Sequence, residues 1–366
     1  MDAMDSGGAR RRRSAPRAAA PTIHDVAAAA GVSPMTVSRV LRGGKNVRPE
    51  KTLAVLEAVA TLGYRRNENA RSIRPGQRTG LIGVVITNVA NPYYAELQLG
   101  VEEVLAGGGI RMLAGNSGED VGRERTLVHD FVGRQVDGLI VVPSGTDAAH
   151  LEAARIGGVP LVLASRRIEG LAADTVLIDD VAGAYEGTRR LVAEGHVRIA
   201  YVGNVTSIFT SRRRLSGFTR SLTEAGLGIA PALVRVGQND PDAARRAMLE
   251  LLEAPDPPTA VFSENNRNTV GVIRALSEAR VPADRMRVMG FDDFELSDMM
   301  PFPLTVIDHD ARELGRAAAR MVVARLSGDA PEPPPRTVQL PTTLIDRSTR
   351  PWPEDESAPT TRRKPR

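Results

Sequence analysis

The sequence predicts a multidomain protein, with a small all-α helix-turn-helix module followed by an α/β body of two doubly wound lobes. Three observations predict it. Residues 22–42 read as two short helices on a tight turn. From Gly80 to about residue 347, strand-sized apolar runs alternate with helical stretches over a length too great for one small doubly wound domain. Charge is also divided: residues 1–80 hold 15 Lys and Arg against 6 Asp and Glu, and the remainder holds 33 against 38. An anionic polymer would be drawn to the first part and repelled by the second.

In chain order, residues 1–20 are Ala-, Gly- and Arg-rich without periodicity, and they read as a disordered basic tail. A run such as Arg10–Arg13 is more often a solvated tail than a specific contact, though it could add non-specific affinity for DNA. Residues 21–65 form the helical module. Thr22 is a good N-cap, and Ile23, Val26, Ala27 and Ala30 recur at helical spacing. Gly31 ends that helix where positive φ is wanted. Ser33 caps the next helix and Pro34 occupies its first turn, where a missing N–H costs nothing. Val37, Val40 and Leu41 turn inward, leaving Pro34, Met35, Ser38, Arg39 and Arg42 outside. A short polar-faced helix bearing arginine on a brief turn fits a major-groove reader, although two such helices alone fit an ordinary αα-hairpin equally well. Pro49 opens a third helix with an expected apolar stripe of Leu53, Leu56, Val59, Ala60 and Leu62, closed by Gly63.

Residues 66–79 are too polar to bury themselves and end in Pro75-Gly76, so they read as a linker. Beyond Gly80, strands are expected at 81–87, 110–114, 138–142, 160–164, 199–203, 260–263 and 288–291. Helices fall between them, for example at 94–105, 182–193, 215–225, 243–252 and 268–279. Such alternation implies parallel sheets covered on both faces. Residues 348–366 read as a second disordered tail, without the leucine heptads of a tetramerising coiled coil.

Composition narrows the chemistry. The chain has no cysteine, which excludes disulfides and thiolate metal sites and suits a reducing cytoplasm. The apolar runs are too short for a signal peptide or a membrane span. No phosphate loop, zinc-type His pair or nucleophile elbow occurs, so no enzyme activity, catalytic residue, cofactor or metal is expected. The histidines His24, His129, His150, His196 and His309 are scattered and read as surface or structural.

The order Thr22-Ile23-x-Asp25-Val26-Ala27-x-x-Ala30-Gly31-Val32-Ser33-x-x-Thr36-Val37-Ser38-Arg39-Val40-Leu41 resembles the DNA-reading module of the LacI/GalR (lactose/galactose repressor) family almost position for position. The resemblance runs from Pro21 to about Arg350. It implies a periplasmic-binding-protein-like effector domain over residues 80–347, crossed three times by the chain. Lobe 1 would span about 80–180 and 309–336, and lobe 2 about 181–308 and 337–347. DNA contacts are implied for Thr22, Ser33, Pro34, Met35, Thr36, Ser38, Arg39 and Tyr64. Asn67-x-x-Ala70-Arg71-Ser72-Ile73 resembles the hinge helix that folds on DNA, with Asn67, Ala70 and Ile73 as its contacts and Ile73 as a minor-groove wedge. Arg66 stands where the family usually has proline.

Effector contacts are implied for Tyr93, Arg166, Thr210, Arg214, Phe262, Asn265 and Asp292. Tyr93 belongs to Asn91-Pro92-Tyr93-Tyr94, where it could offer a stacking face or simply be a core aromatic at a helix start. Arg214 opens an Arg-Leu-x-Gly-Phe element, and Asp292 ends Gly290-Phe291-Asp292-Asp293, where Asp293 reads as structural. Asn265-Asn266 stands where relatives often have Asn-Asp, and Ser165-Arg166 where they often have Asp-Arg, so a pocket less negative than a typical sugar site is expected, which keeps a phosphorylated or carboxylated sugar in play. The implied function is an effector-controlled, DNA-binding transcriptional regulator, usually a repressor. It would be a cytoplasmic, nucleoid-associated homodimer on palindromic double-stranded DNA, away from any membrane, with a sugar or sugar derivative as effector. The alternatives are a non-sugar effector such as a nucleobase, and a solute-binding protein or sugar-modifying enzyme on the same fold.

Overall fold

The computed structural model describes residues 21–41, 43, 47–64, 78–153, 155–327 and 334–347. The expected tails, Arg42, and the hinge segment with Asn67, Ala70 and Ile73 lie outside the described residues. The chain divides into two compact units, Met1–Gln77 and Arg78–Arg366.

The first unit carries three helices, α1 (Ile23–Ala29), α2 (Pro34–Val40) and α3 (Pro49–Leu62). Thr22 starts α1 through a reciprocal capping box with Asp25, whose carboxylate accepts from the Thr22 N–H at 2.7 Å. Gly31 takes φ +63° in the turn, and the Ser33 hydroxyl accepts from the Thr36 N–H at 3.2 Å to start α2. Val26, Ala27, Val37, Val55 and Ala58 close the core, with Ile23, Val40, Leu41, Val59 and Tyr64 packed around it. The face expected of α3 is corrected here. Leu53 is 69% exposed and Leu56 49%, while Val55, Ala58 and Val59 point inward. These smaller residues also stand at i, i+3 and i+4, and they let α3 approach two short helices closely.

The second unit holds two six-stranded sheets. The first contains β1 (Leu81–Ile86), β2 (Arg111–Asn116), β3 (Gly138–Val141), β4 (Leu161–Ala164), β5 (Asp174–Ile178) and β11 (Thr337–Leu340), in the order β11-β5-β4-β3-β1-β2. All its pairings are parallel. Helices α4 (Pro92–Gly107), α5 (Val121–Gly133) and α10 (Ala311–Leu326) cover it. The second contains β6 (Ile199–Val202), β7 (Val234–Arg235), β8 (Ala260–Ser263), β9 (Arg287–Phe291), β10 (Leu304–Asp308) and β12 (Thr343–Asp346), in the order β12-β10-β9-β8-β6-β7. Only β12 is antiparallel to its neighbour there. Helices α6 (Asp180–Ala193), α7 (Phe209–Glu224), α8 (Pro241–Leu252) and α9 (Asn266–Glu278) flank it.

Both faces of each sheet are buried. Ile82, Val84 and Ile86 pack with Leu97 of α4 and Val322 of α10, whereas Val85 joins Phe131 of α5 on the opposite face. In the second sheet Val202 faces α8 and α9, and Tyr201 faces α6 and α7. Gly100 and Gly315 bring α4 and α10 together, since a Cβ on either would stand about 2 Å from a backbone carbonyl of the other helix.

The chain crosses between the sheets after β5, after β10 and after β11. The third crossing comes later than expected. Residues 337–340, expected in lobe 2, run parallel to β5 in the first sheet, with Val338 opposite Val176. Asp174 holds that strand by accepting the Arg336 N–H at 2.9 Å, and the Arg325 guanidinium pairs with the same carboxylate. Only residues 343–346 join the second sheet. Among the described residues no helix is long and apolar enough to cross a membrane.

Candidate functional site

On α2, Met35 is 68% exposed and Arg39 is also exposed, while Pro34, Thr36 and Ser38 are half-buried. Ser33 and Thr36 share a hydroxyl–hydroxyl bond of 2.9 Å, and Thr22 is held by its capping box, so these hydroxyls fix the helix starts. Arg39 makes no ion pair among the described residues, leaving its guanidinium free for an external acceptor. Tyr64 packs against the small core at the exit of α3.

The second site lies in the larger unit, where the C-terminal strand ends of both sheets face one cleft. Its volume is about 560 Å³. Of the residues implied by the family resemblance, Tyr93, Arg166, Thr210, Arg214, Asn265 and Asp292 line it. Phe262 does not. Its ring stacks on Tyr201 at 5.7 Å between centroids, and the side chain is fully buried under α6 and α7. Its position inside β8 sends it to the face covered by α6 and α7, short of the strand end.

Arg214 is the centre of the cleft floor. Its Nε donates to Asp180 at 2.8 Å, one Nη donates to the Glu264 carbonyl at 2.8 Å, and the other stands 3.2 Å from Asp292. Its Cζ lies 3.7 Å from the centre of the Phe291 ring. Asp292 takes φ +64° at the end of β9, and Ser165 takes φ +63° after β4. Non-glycine residues in that region carry local strain, which concentrates at binding sites. Burial works against the Asp292 carboxylate, but Arg214 and the His309 hydrogen bond more than offset it and hold its pKa below the usual value. For Asp180 burial wins and the pKa is raised. Burial likewise raises Glu264, whose oxygens accept from Ser211, the Asn204 N–H and the Tyr201 hydroxyl.

The opposite wall belongs to the first sheet. Arg166 is buried and gripped by both oxygens of Glu119, at 2.6 and 2.8 Å. Tyr93 bonds to Ser165 through its hydroxyl, and its ring meets Tyr94 and His309 edge-on, at 4.9 and 5.5 Å. Glu119, Glu264 and Asp292 line the cleft together with Arg166, Arg214 and Arg267, so its acids are matched by guanidiniums. Of the surface and structural roles expected for the histidines, His309 takes the structural one. Its side chain is 2% exposed, and Nε2 lies 2.9 Å from Asp292. Asp293 bonds to Ser297 at 2.5 Å and pairs with Arg347, a structural role.

Matches to known proteins fall in both units. Residues 22–67 match the family of bacterial regulatory proteins of the lacI type, and residues 188–350 match the periplasmic binding protein-like domain. Catabolite control protein A of Priestia megaterium is 32% identical over 323 residues, covering 87% of this chain and 96% of that protein. The chain belongs to the LacI family. The regulator CelR of Thermobifida fusca is also 32% identical, over 86% of this chain and 94% of that one. A CelR–cellobiose complex superposes with a TM-score of 0.67 at 30% identity, over 89% of this chain and 98% of the other. The Lac repressor dimer bound to operator and the anti-inducer ONPF gives 0.78 at 27% identity, over 90% and 98%. As a LacI-family member, this chain is a DNA-binding transcriptional regulator with a periplasmic-binding-like effector domain of two parallel-sheet lobes.

Proposed function

We propose that the protein is a repressor that binds palindromic DNA as a homodimer and changes its operator affinity when a sugar or sugar derivative occupies the cleft between its lobes. The observation that carries the effector class is the chemistry of the cleft wall. Asn88, Asn91, Asn116, Asn204, Asn239 and Asn265 line it together with serine and threonine hydroxyls. The amide oxygens of Asn88, Asn91, Asn116, Asn204 and Asn265 each accept a backbone N–H, which fixes the amides so that their NH2 groups can donate to a ligand covered in hydroxyl groups. A nucleobase would want an open aromatic face, and Tyr93 and Tyr94 already use their rings on each other. An effector moves DNA affinity only as far as it prefers one lobe arrangement over another.

In this reading α2 enters the major groove of a half-site, and Pro34, Met35 and Arg39 face base edges. Pro34 and Met35 can offer apolar contact only. Arg39 can grip guanine O6 and N7 together, worth about 1–3 kcal/mol of discrimination. Asn67, Ala70 and Ile73 contact the operator, with Ile73 as the minor-groove wedge, in the cytoplasm at the nucleoid.

Selection on randomised half-sites tests the readout. Arg39→Ala should erase the preference at one G·C pair and leave the others. Uniform weakening at every position, with a salt slope shallower by about one, would reassign Arg39 to a phosphate. Ile73→Ala should lower operator affinity and DNA bending while effector binding stays at the parental level. Equal bending by mutant and parent, measured by circular permutation of the site, would remove the wedge.

A further inference from the structure

The charged groups of the cleft are almost all satisfied from within. Glu119 takes Arg166, while Asp180 and Asp292 take Arg214. Both oxygens of Glu264 are held by protein donors. Arg267 is different. It lines the cleft from the first turn of α9, forms no ion pair among the described residues, and its Nε is buried without an acceptor. A buried N–H of this kind is costly to leave unmade, and a guanidinium more so than a neutral amide.

The same sign recurs beside it. A second cavity of about 330 Å³ adjoins the main cleft at Ser144 and Arg166 and carries Arg167 and Arg212 against Glu169. Among the described residues neither Arg167 nor Arg212 is ion-paired, and the Arg212 guanidinium reaches only the Thr206 carbonyl, at 3.4 Å. Positive charge lining a low-dielectric opening concentrates anions there.

We propose that the effector carries an anionic group, a carboxylate or a phosphate, on its hydroxyl-rich body, and that Arg267 receives it. The proposal rests on the small-molecule reading of the cleft and specifies its ligand further. A planar guanidinium presents two parallel N–H donors, matched to two oxygens of either anion. A neutral hydroxyl would fill one of those donors and leave the charge uncompensated. The sugar body then meets the asparagines, and the anion sits at the N-terminal turn of α9, whose own dipole favours it.

Four probes on the full-length protein test this: sodium phosphate, glucose, glucuronate and glucose 6-phosphate. Each is applied to the parent, to Arg267→Met and to Arg267→Lys, which keeps the charge and guards against a folding defect. Phosphate should raise the melting temperature of the parent above the effect of sodium chloride at equal ionic strength. That gain should vanish in Arg267→Met and survive in part in Arg267→Lys. By calorimetry, at least one acidic sugar should bind about tenfold or more tightly than glucose, with the preference lost in Arg267→Met. Preference for glucuronate assigns a carboxylate, and preference for glucose 6-phosphate a phosphate. Glucose binding as tightly as its acids, or phosphate protection that persists in Arg267→Met, would overturn the anion while leaving a neutral sugar in the cleft. Phosphate protection through Arg267 with no sugar bound would keep the anion site and remove the sugar. Silence from all four probes overturns both.

Discussion

Operator affinity is expected to fall by about three orders of magnitude or more between about 50 mM and about 200 mM salt. The reason is the charge division. Residues 1–80 carry 15 Lys and Arg against 6 Asp and Glu, and the remainder of the chain is net negative. Each phosphate neutralised by one of these cations releases condensed counterions, and raising the salt concentration makes that release less favourable. A dimer doubles the number of such contacts. Fluorescence anisotropy on a labelled operator across a salt series reads the slope directly. A logarithmic slope shallower than about two would mean that the positive charge is solvated surface, with α2 contributing base contacts alone.

That prediction needs only the sequence, as do the helical reader and the alternation of strands with helices. Runs such as Gly138–Val141 and Ala260–Ser263 are legible because a strand buried on both faces is apolar at every position. The same property hides which face each side chain takes, which is how Phe262 could be expected in the cleft and found in the core. On α3 two apolar stripes competed, and the larger residues belonged to the outer one. Periodicity gives both stripes equal standing, and only packing against α1 and α2 decides between them.

The cleft shows the same division. Asp292 and Arg214 were legible through motifs that continue along the chain. Asp180, Glu264 and His309 were not, although each lies within two residues of a strand end: β5, β8 and β10. The rule that ligands of open α/β sheets meet strand ends would have found them. It could not be applied to Asp180 and His309, because β5 and β10 were not singled out. β5 begins Asp-Thr and β10 follows a stretch broken by Pro301 and Pro303, so neither stands out as an apolar run. The convergence of these side chains on Arg214, from 34 residues away in the case of Asp180 and 78 in the case of Asp292, is a property of the crossings between sheets.

Removing Arg214 should therefore have the largest effect of any single substitution in the cleft. Arg214→Ala leaves Asp180 and Asp292 buried without their cation, a change that typically costs about 3–5 kcal/mol. The loss should appear in urea unfolding of the larger unit. Its pH dependence follows from the signs. In the parent, Asp292 has a lowered pKa, so its contribution is present above the unfolded value and is lost as pH falls through the folded one. Without Arg214, burial dominates at Asp292 as it already does at Asp180, and both carboxyls favour the protonated form. The variant should then recover stability relative to the parent as pH drops from 7 toward 4, where those protons bind. Response to the effector should be abolished at every pH, because the cleft floor no longer has its fixed guanidinium. Adding Asp292→Ala to Arg214→Ala should cost less than the sum of the two single changes, since the second substitution removes one stranded charge. A single-variant loss below about 1 kcal/mol at pH 7, or a deficit that grows on acidification, would show that the Arg214 network is not the buried charge cluster described above.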